Sequence, residues 1–178
     1  MIGTKKLLKL VKDCKLVEGL CERELKNPEG AGFDLRVGEV YRIKKGECFL
    51  GETERHTPDI ELVAKYGKEK GYIMKPGEFL LVKTMEKVNL PKKISAIFRP
   101  RSTLQRGGIA LFTAAVSPGY SGELTFGIAN LGKNIFKFEL GARIVHILFF
   151  ETSENVSEYR GQWQGGRVST KGKKEVQV

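Results

Sequence analysis

From residue 33 to residue 151 the chain is divided into short apolar runs, and most of them end at a turn signal. The runs are FDLRVGEVYRI, PGEFLLVKT, ISAIFR, IALFTAAV, ELTFGIA, IFKFEL and RIVHILFFE. Between them stand Lys75-Pro76-Gly77, Ser117-Pro118-Gly119, the segment 130–134 and Leu140-Gly141. Short strands recurring at roughly 8–12-residue spacing predict an all-β sandwich or barrel. A length of 178 residues suits one compact domain, and no internal repeat divides it.

The ends have a different texture. In TKKLLKLVKD (4–13), Leu7, Leu8, Leu10 and Val11 fall near one side of a helix, with Thr4 as N-cap. Residues 15–20 read as a strand, and NPEGAG (27–32) as a breaker-rich loop. DIELVAKYGK (59–68) reads as a short helix or an insertion loop. The organisation expected is an N-terminal helix and strand (1–26), a β-barrel core (27–157) and a Gly-, Gln-, Lys- and Arg-rich tail (158–178) that is mobile until something binds.

The net charge of +10 favours an anionic partner, whether nucleic acid, a membrane surface or a phosphorylated small molecule. No run approaches the ~20 apolar residues of a membrane helix. The N-terminus lacks an apolar segment ending in a small-residue cleavage site, so a cytoplasmic location is expected. Cys14, Cys21 and Cys48 are odd in number and include no CxxC, which argues against a disulfide framework. The zinc-deaminase pattern of His-x-Glu followed by Pro-Cys-x-x-Cys is absent. Surfaces that bind single-stranded nucleic acid interleave aromatic and basic residues along a groove. No such pattern occurs outside the tail, so a nucleic-acid partner is not expected.

Three stretches carry chemistry. RPRSTLQRGG (99–108) places Arg99, Arg101 and Arg106 beside the hydroxyls of Ser102 and Thr103 and a glycine pair. Planar guanidinium forks, neutral hydroxyl donors and backbone N–H groups near glycine suit a phosphate cradle. An exposed basic turn would have the same composition. In SPGYSGEL (117–124), Pro118-Gly119 sets a tight turn whose backbone can read the edge of a base. In YRGQWQGGR (159–167), glycines give pliability while aromatics and amides supply contacts, as in a lid that orders over a ligand.

Taken in order, these stretches resemble the superfamily of trimeric dUTPases and dCTP deaminases, most closely its archaeal-type members. GAGFDLRVGE (30–39) is similar to the first family motif, Ala-Gly-x-Asp-Leu. PRSTLQRGG (100–108) is similar to the second and SPGYSGELTFGIANLGK (117–133) to the third. GARIVHILF (141–149) is similar to the fourth, and YRGQWQGG (159–166) to the closing tail motif. The resemblance implies a distorted, jelly-roll-like β-barrel, a homotrimer with sites between subunits, and a pyrimidine deoxynucleoside triphosphate as ligand. It also implies Mg²⁺ held through the triphosphate rather than by protein ligands. By position, Arg101, Ser102, Thr103 and Arg106 would hold phosphates. Ser117, Gly119 and Tyr120 would hold sugar and base, and Tyr159 and Gln164 would close the lid. Trp163 stands where the tail often has tyrosine. His146 stands where relatives carry Gln or His, although a core or interface strand residue is the simpler reading.

The departures are chemical. In the dUTPase branch an aspartate before Pro-Gly activates water, which is general-base work; here the position is Ser117. In the deaminase branch a glutamate in the next strand moves protons; here the position is Gly127. Glu123 is a candidate substitute, but it lies four residues, about 13 Å, along a strand from Gly127. Asp34 is a second candidate, with organising the fold or the trimer interface as its plainer role. The expectation is dUTP diphosphatase-type hydrolysis to dUMP and pyrophosphate. The alternatives are a dCTP deaminase, or a nucleotide-binding homologue that has lost its chemistry.

Overall fold

The computed structural model describes residues 1–154 and 156–176. Helix α1 (Thr4–Cys14) leads into β1 (Val17–Glu18), α2 (Glu22–Lys26) and the long strand β2 (Gly32–Ile43). Then follow β3 (Phe49–Leu50), β4 (Glu54–His56), β5 (Ile60–Lys65), β6 (Gly71–Met74), β7 (Phe79–Asn89) and β8 (Ile94–Pro100). The remainder is α3 (Ser102–Arg106), β9 (Ile109–Phe112), β10 (Ser121–Asn130), β11 (Phe136–Glu139), β12 (Arg143–Glu151) and β13 (Glu175–Val176).

The main sheet is antiparallel and runs β8-β12-β2-β7-β10-β9, with β1 added on β7 and β5 on β2. Its two edges come back together. Ala96 of β8 exchanges both backbone hydrogen bonds with Val116, just beyond β9. The result is the nearly closed barrel that the run-and-turn pattern predicts. Closure removes sheet edges that would otherwise template pairing with other chains.

Period-two burial builds the interior. In β7, Leu80, Val82, Thr84, Glu86 and Val88 are buried while the residues between them are partly exposed. Phe33, Leu35, Leu80, Ile128, Ile147 and Phe149 are among the fully buried side chains. Two of the inward residues of β7 are polar, and each is satisfied. Thr84 accepts the Leu124 N–H where the β10–β7 register shifts, so the irregularity leaves that donor paired. Glu86 accepts the Arg36 backbone N–H and its Nε–H. Burial still pushes the Glu86 carboxyl above the usual range.

Three local expectations are corrected. Residues 60–65 form a strand, because pairing with β2 outweighs the helix-forming Glu, Leu, Ala and Lys of that segment. The strand expected over 15–20 shrinks to Val17–Glu18. Gly3, not Thr4, caps α1, and the Thr4 hydroxyl donates instead to the Gly30 carbonyl. No helix among the described residues is long and apolar enough to cross a membrane. Cys14, Cys21 and Cys48 are free thiols.

Candidate functional site

The phosphate-cradle stretch forms the end of β8, the short helix α3 and the turn into β9. Ser102, Thr103 and Arg106 are exposed on α3, while Leu104 is buried and anchors it. Arg106 makes one long contact with the Ser102 carbonyl, 3.4 Å, which leaves its guanidinium free for a ligand. Arg101 is held from beneath, its Nη1 lying 2.5 Å from Asp34 Oδ2.

Asp34 is the hub of this end. Its carboxyl also accepts from Arg143 Nη1 at 2.9 Å and pairs with His146 Nδ1 at 2.8 Å, while its backbone N–H donates to buried Glu24. A register irregularity between Arg143 and Val145 lets residues 143 and 146, which a regular strand would send to opposite faces, both meet Asp34. Burial pushes the Asp34 carboxyl up. The His146 hydrogen bond and the charges of Arg101 and Arg143 more than reverse this and hold it below the usual range.

The hairpin and tail form a second centre. Gly119 takes φ +81° in the turn before β10, a conformation that favours glycine. The tail lies along this hairpin. Tyr159 N–H donates to the Pro118 carbonyl, and Gly165 N–H donates to that of Ser121. The Gln164 amide spans the turn, accepting from Ser121 N–H and donating to the Gly119 carbonyl, each at 3.1 Å. Tyr120 and Tyr159 meet edge to face, 5.3 Å between ring centres. Burial pushes the Tyr120 phenol up to about 12.

Beneath the tail lies a cavity of about 570 Å³. Phe79, Leu81, Phe98 and Phe126 line its barrel side; Ala114 to Ser117, Tyr120, Tyr159 and Trp163 line its mouth. Among the described residues no Asp, Glu or His lines it. The Thr125 hydroxyl, which lines it, and the Gln162 amide are buried without a hydrogen-bond partner among the described residues. Such groups are costly unless a ligand or water completes them. Gln162 was visible in the tail motif, but spacing alone could not tell it from Gln164.

Neither substitute carboxylate reaches this cavity. Glu123 turns to the tail, where a Cβ on Gly166 would stand 2.3 Å from its Oε2, and Asp34 belongs to the cradle. Gly127 is closed over. A Cβ built on it would lie 2.7 Å from Phe79 Cζ and 3.4 Å from Phe112 Cβ. The cradle itself faces a different cavity, lined by Arg101, Thr103 and Arg143. The sequence-predicted residues therefore fall into two groups within one chain: Arg101 to Arg106 around one cavity, and the hairpin and tail around the other.

A nearly closed β-barrel with a cationic rim and a tail-covered apolar cavity is the architecture the sequence motifs predict. The family described as dCTP deaminase-like matches residues 2–152, and the chain belongs to it. It is 32% identical over 164 residues to a probable deoxyuridine 5'-triphosphate nucleotidohydrolase of Methanothermobacter thermautotrophicus, covering 92% of this chain and 99% of that one. It is also 32% identical to a dCTP deaminase of Caldivirga maquilingensis, covering 92% and 90%. A solved 2'-deoxycytidine 5'-triphosphate deaminase from Agrobacterium tumefaciens has the same fold, with TM-score 0.64 at 18% identity. That match covers 83% of this chain and about half, 47%, of the other.

Proposed function

We propose that the chain is a cytoplasmic dUTP diphosphatase, working as a homotrimer that converts dUTP to dUMP and pyrophosphate. The observation that carries the choice over deamination is the space at Gly127. The aromatic rings of Phe79 and Phe112 flank the position where a proton-transferring glutamate would have to stand. Attack on a cytosine ring needs such a group; attack on phosphorus needs aligned phosphates and one positioned water.

Arg101, Ser102, Thr103 and Arg106 bind the triphosphate in this reading, with charge-assisted bonds from the two arginines. Ser117, Gly119 and Tyr120 seat the sugar and base. Tyr159 and Gln164 close over them, and the nucleotide gives the unpaired Thr125 hydroxyl, which lines the cavity, its partner. A second copy brings its cradle to the first copy's cavity, which is why a homotrimer fits half-sites that do not meet within one chain. Among the described residues no group of three or more His, Cys, Asp or Glu is placed to hold a metal. The cationic and hydroxylic donors of the cradle suit phosphate oxygens instead. Mg²⁺ therefore fits here as an ion carried by the triphosphate, whose charge it partly neutralises.

One observation favours a second reading. The cavity holds no carboxylate, as expected of a homologue that binds nucleotide without turnover. Incubation with Mg²⁺ and dUTP or dCTP, followed by ³¹P NMR and the ultraviolet spectrum of the base, separates the cases. Pyrophosphate from dUTP supports the hydrolase. A cytosine-to-uracil spectral change overturns it in favour of deamination. Binding without either change favours the inactive homologue.

A further inference from the structure

The hydrolysis proposed above needs a proton acceptor for the attacking water, and the usual position is Ser117. We infer that His146, oriented by Asp34, is that general base; the inference rests on the hydrolase reading.

The geometry fixes the tautomer. Asp34 is ionised under ordinary conditions, because its carboxyl is held below the usual range, and an ionised carboxylate can only accept. At 2.8 Å from Asp34 Oδ1, His146 Nδ1 must therefore carry a proton and donate it. In the neutral ring this leaves the lone pair on Nε2. An imidazole with one nitrogen held by a carboxylate and the other free is an oriented base, and the carboxylate stabilises the imidazolium formed when a proton arrives.

Nε2 faces glycines rather than a side chain: a Cβ on Gly30, in the turn before β2, would stand 3.7 Å from it, and one on Gly32, the first residue of β2, 2.9 Å, closer than a side chain could come. The His146 side chain keeps 20% of its exposure, so one edge of the ring meets solvent. It is tied to the cradle through Asp34, whose other oxygen Arg101 grips. The charged groups around the dyad are Arg143 on the same strand as His146, Arg99 of β8 in register with His146, Arg101 just beyond β8, and Arg23 and Glu24 of α2, Arg23 lying 3.9 Å from Asp34 and Glu24 accepting its backbone N–H. In the step, the water oxygen bonds to the α-phosphorus and its proton passes to Nε2. The bond from that phosphorus to the bridging oxygen breaks, and pyrophosphate leaves with the electron pair. The proton on Nε2 is then lost to solvent.

The test is steady-state dUTP hydrolysis by the full chain with Mg²⁺, in the parent and in His146→Gln, which keeps a donor toward Asp34 but has no basic nitrogen. Binding of a non-hydrolysable dUTP analogue is measured in both proteins. The expected result is a loss of kcat of about 10²–10⁴-fold with analogue affinity within a few fold. The acidic limb of the parent's kcat–pH profile should be absent from the variant, and added imidazole should restore part of the rate in His146→Gly. A kcat for His146→Gln within threefold of the parent, or an unchanged acidic limb, overturns the assignment and directs attention to a carboxylate such as exposed Glu139 on the rim of the cradle cavity. No pyrophosphate from the parent overturns the hydrolase reading and this inference together.

Discussion

Arg101 is tied into the barrel by Asp34, with 2.5 Å between Nη1 and Oδ2, whereas Arg106, five residues on, reaches only the Ser102 carbonyl. The two cradle arginines therefore separate binding from stability. Arg101→Ala should lower affinity for a dUTP analogue about 10–100-fold, as for loss of one charge-assisted contact. It should also lower Tm, because Asp34 loses a partner. Arg106→Ala should lower affinity by a similar factor and leave Tm unchanged. Calorimetric titration and thermal melts of both variants check this; equal Tm losses would contradict the placement of Arg101.

Phe79 governs what Gly127 can become. Gly127→Glu should form no uracil from dCTP and should cost about 1–3 kcal/mol of stability, as expected for overpacking. Adding Phe79→Ala should recover much of that stability. Urea unfolding of the two variants, with a dCTP assay at 260–290 nm (roughly the range over which the two bases differ), measures both effects. Deamination by the single variant would mean that the Phe79 ring moves aside easily.

The tail depends on Gly166, which takes φ +74° and leaves no space for a Cβ beside the Glu123 carboxyl. Gly166→Ala should lift the tail from the hairpin at a cost of about 1–2 kcal/mol, read as about a tenfold rise in KM for dUTP. The barrel's Tm should barely change. Removing Gln164 with Gln164→Ala should act in the same direction but less strongly, since it loses two neutral hydrogen bonds.

Acid stability should reflect Glu39. Burial pushes its carboxyl up, but hydrogen bonds from Lys65, Lys83 and Tyr41 carry it down to about 2 from an ordinary 4.5. Its oxygens lie 2.8 Å from Lys65 Nζ and 2.6 Å from Lys83 Nζ. The folded-state value lies below the unfolded one. The stabilisation is therefore complete above about pH 4.5 and is lost as pH falls toward 2, amounting to ~2 kcal/mol once solvent screening of this partly exposed group is allowed for. Glu39→Gln should flatten the Tm–pH curve in that window. A variant curve parallel to the parent's would contradict the pairing.

Much of the barrel was legible because period-two burial is written in adjacent residues, as in β7, and because glycine and proline mark the turns. The bulge in β12 was not legible. Nothing in RIVHILFFE shows that residues 143 and 146 share a face; that follows from pairing with β2. Asp34 is visible as part of a motif, as a candidate carboxylate or an organiser of the fold or trimer interface. Its grip on Arg101 joins positions 67 residues apart in sequence. Gly127 was legible as a missing carboxylate. The ring that fills its space comes from Phe79, on a neighbouring strand, and no local spacing reveals it. Residues 60–65 carry a composition that favours a helix or a loop, whereas pairing with β2 decides their conformation.

The split between the two half-sites has a genetic consequence. A subunit with a ruined cradle keeps a sound cavity, and one with a ruined cavity keeps a sound cradle. In an assembly whose centres draw on two copies, Arg101→Ala and Tyr159→Ala subunits mixed together each supply what the other lacks. Two impaired alleles would complement one another, and the phenotype of a cell carrying both would be milder than that of a cell carrying either alone.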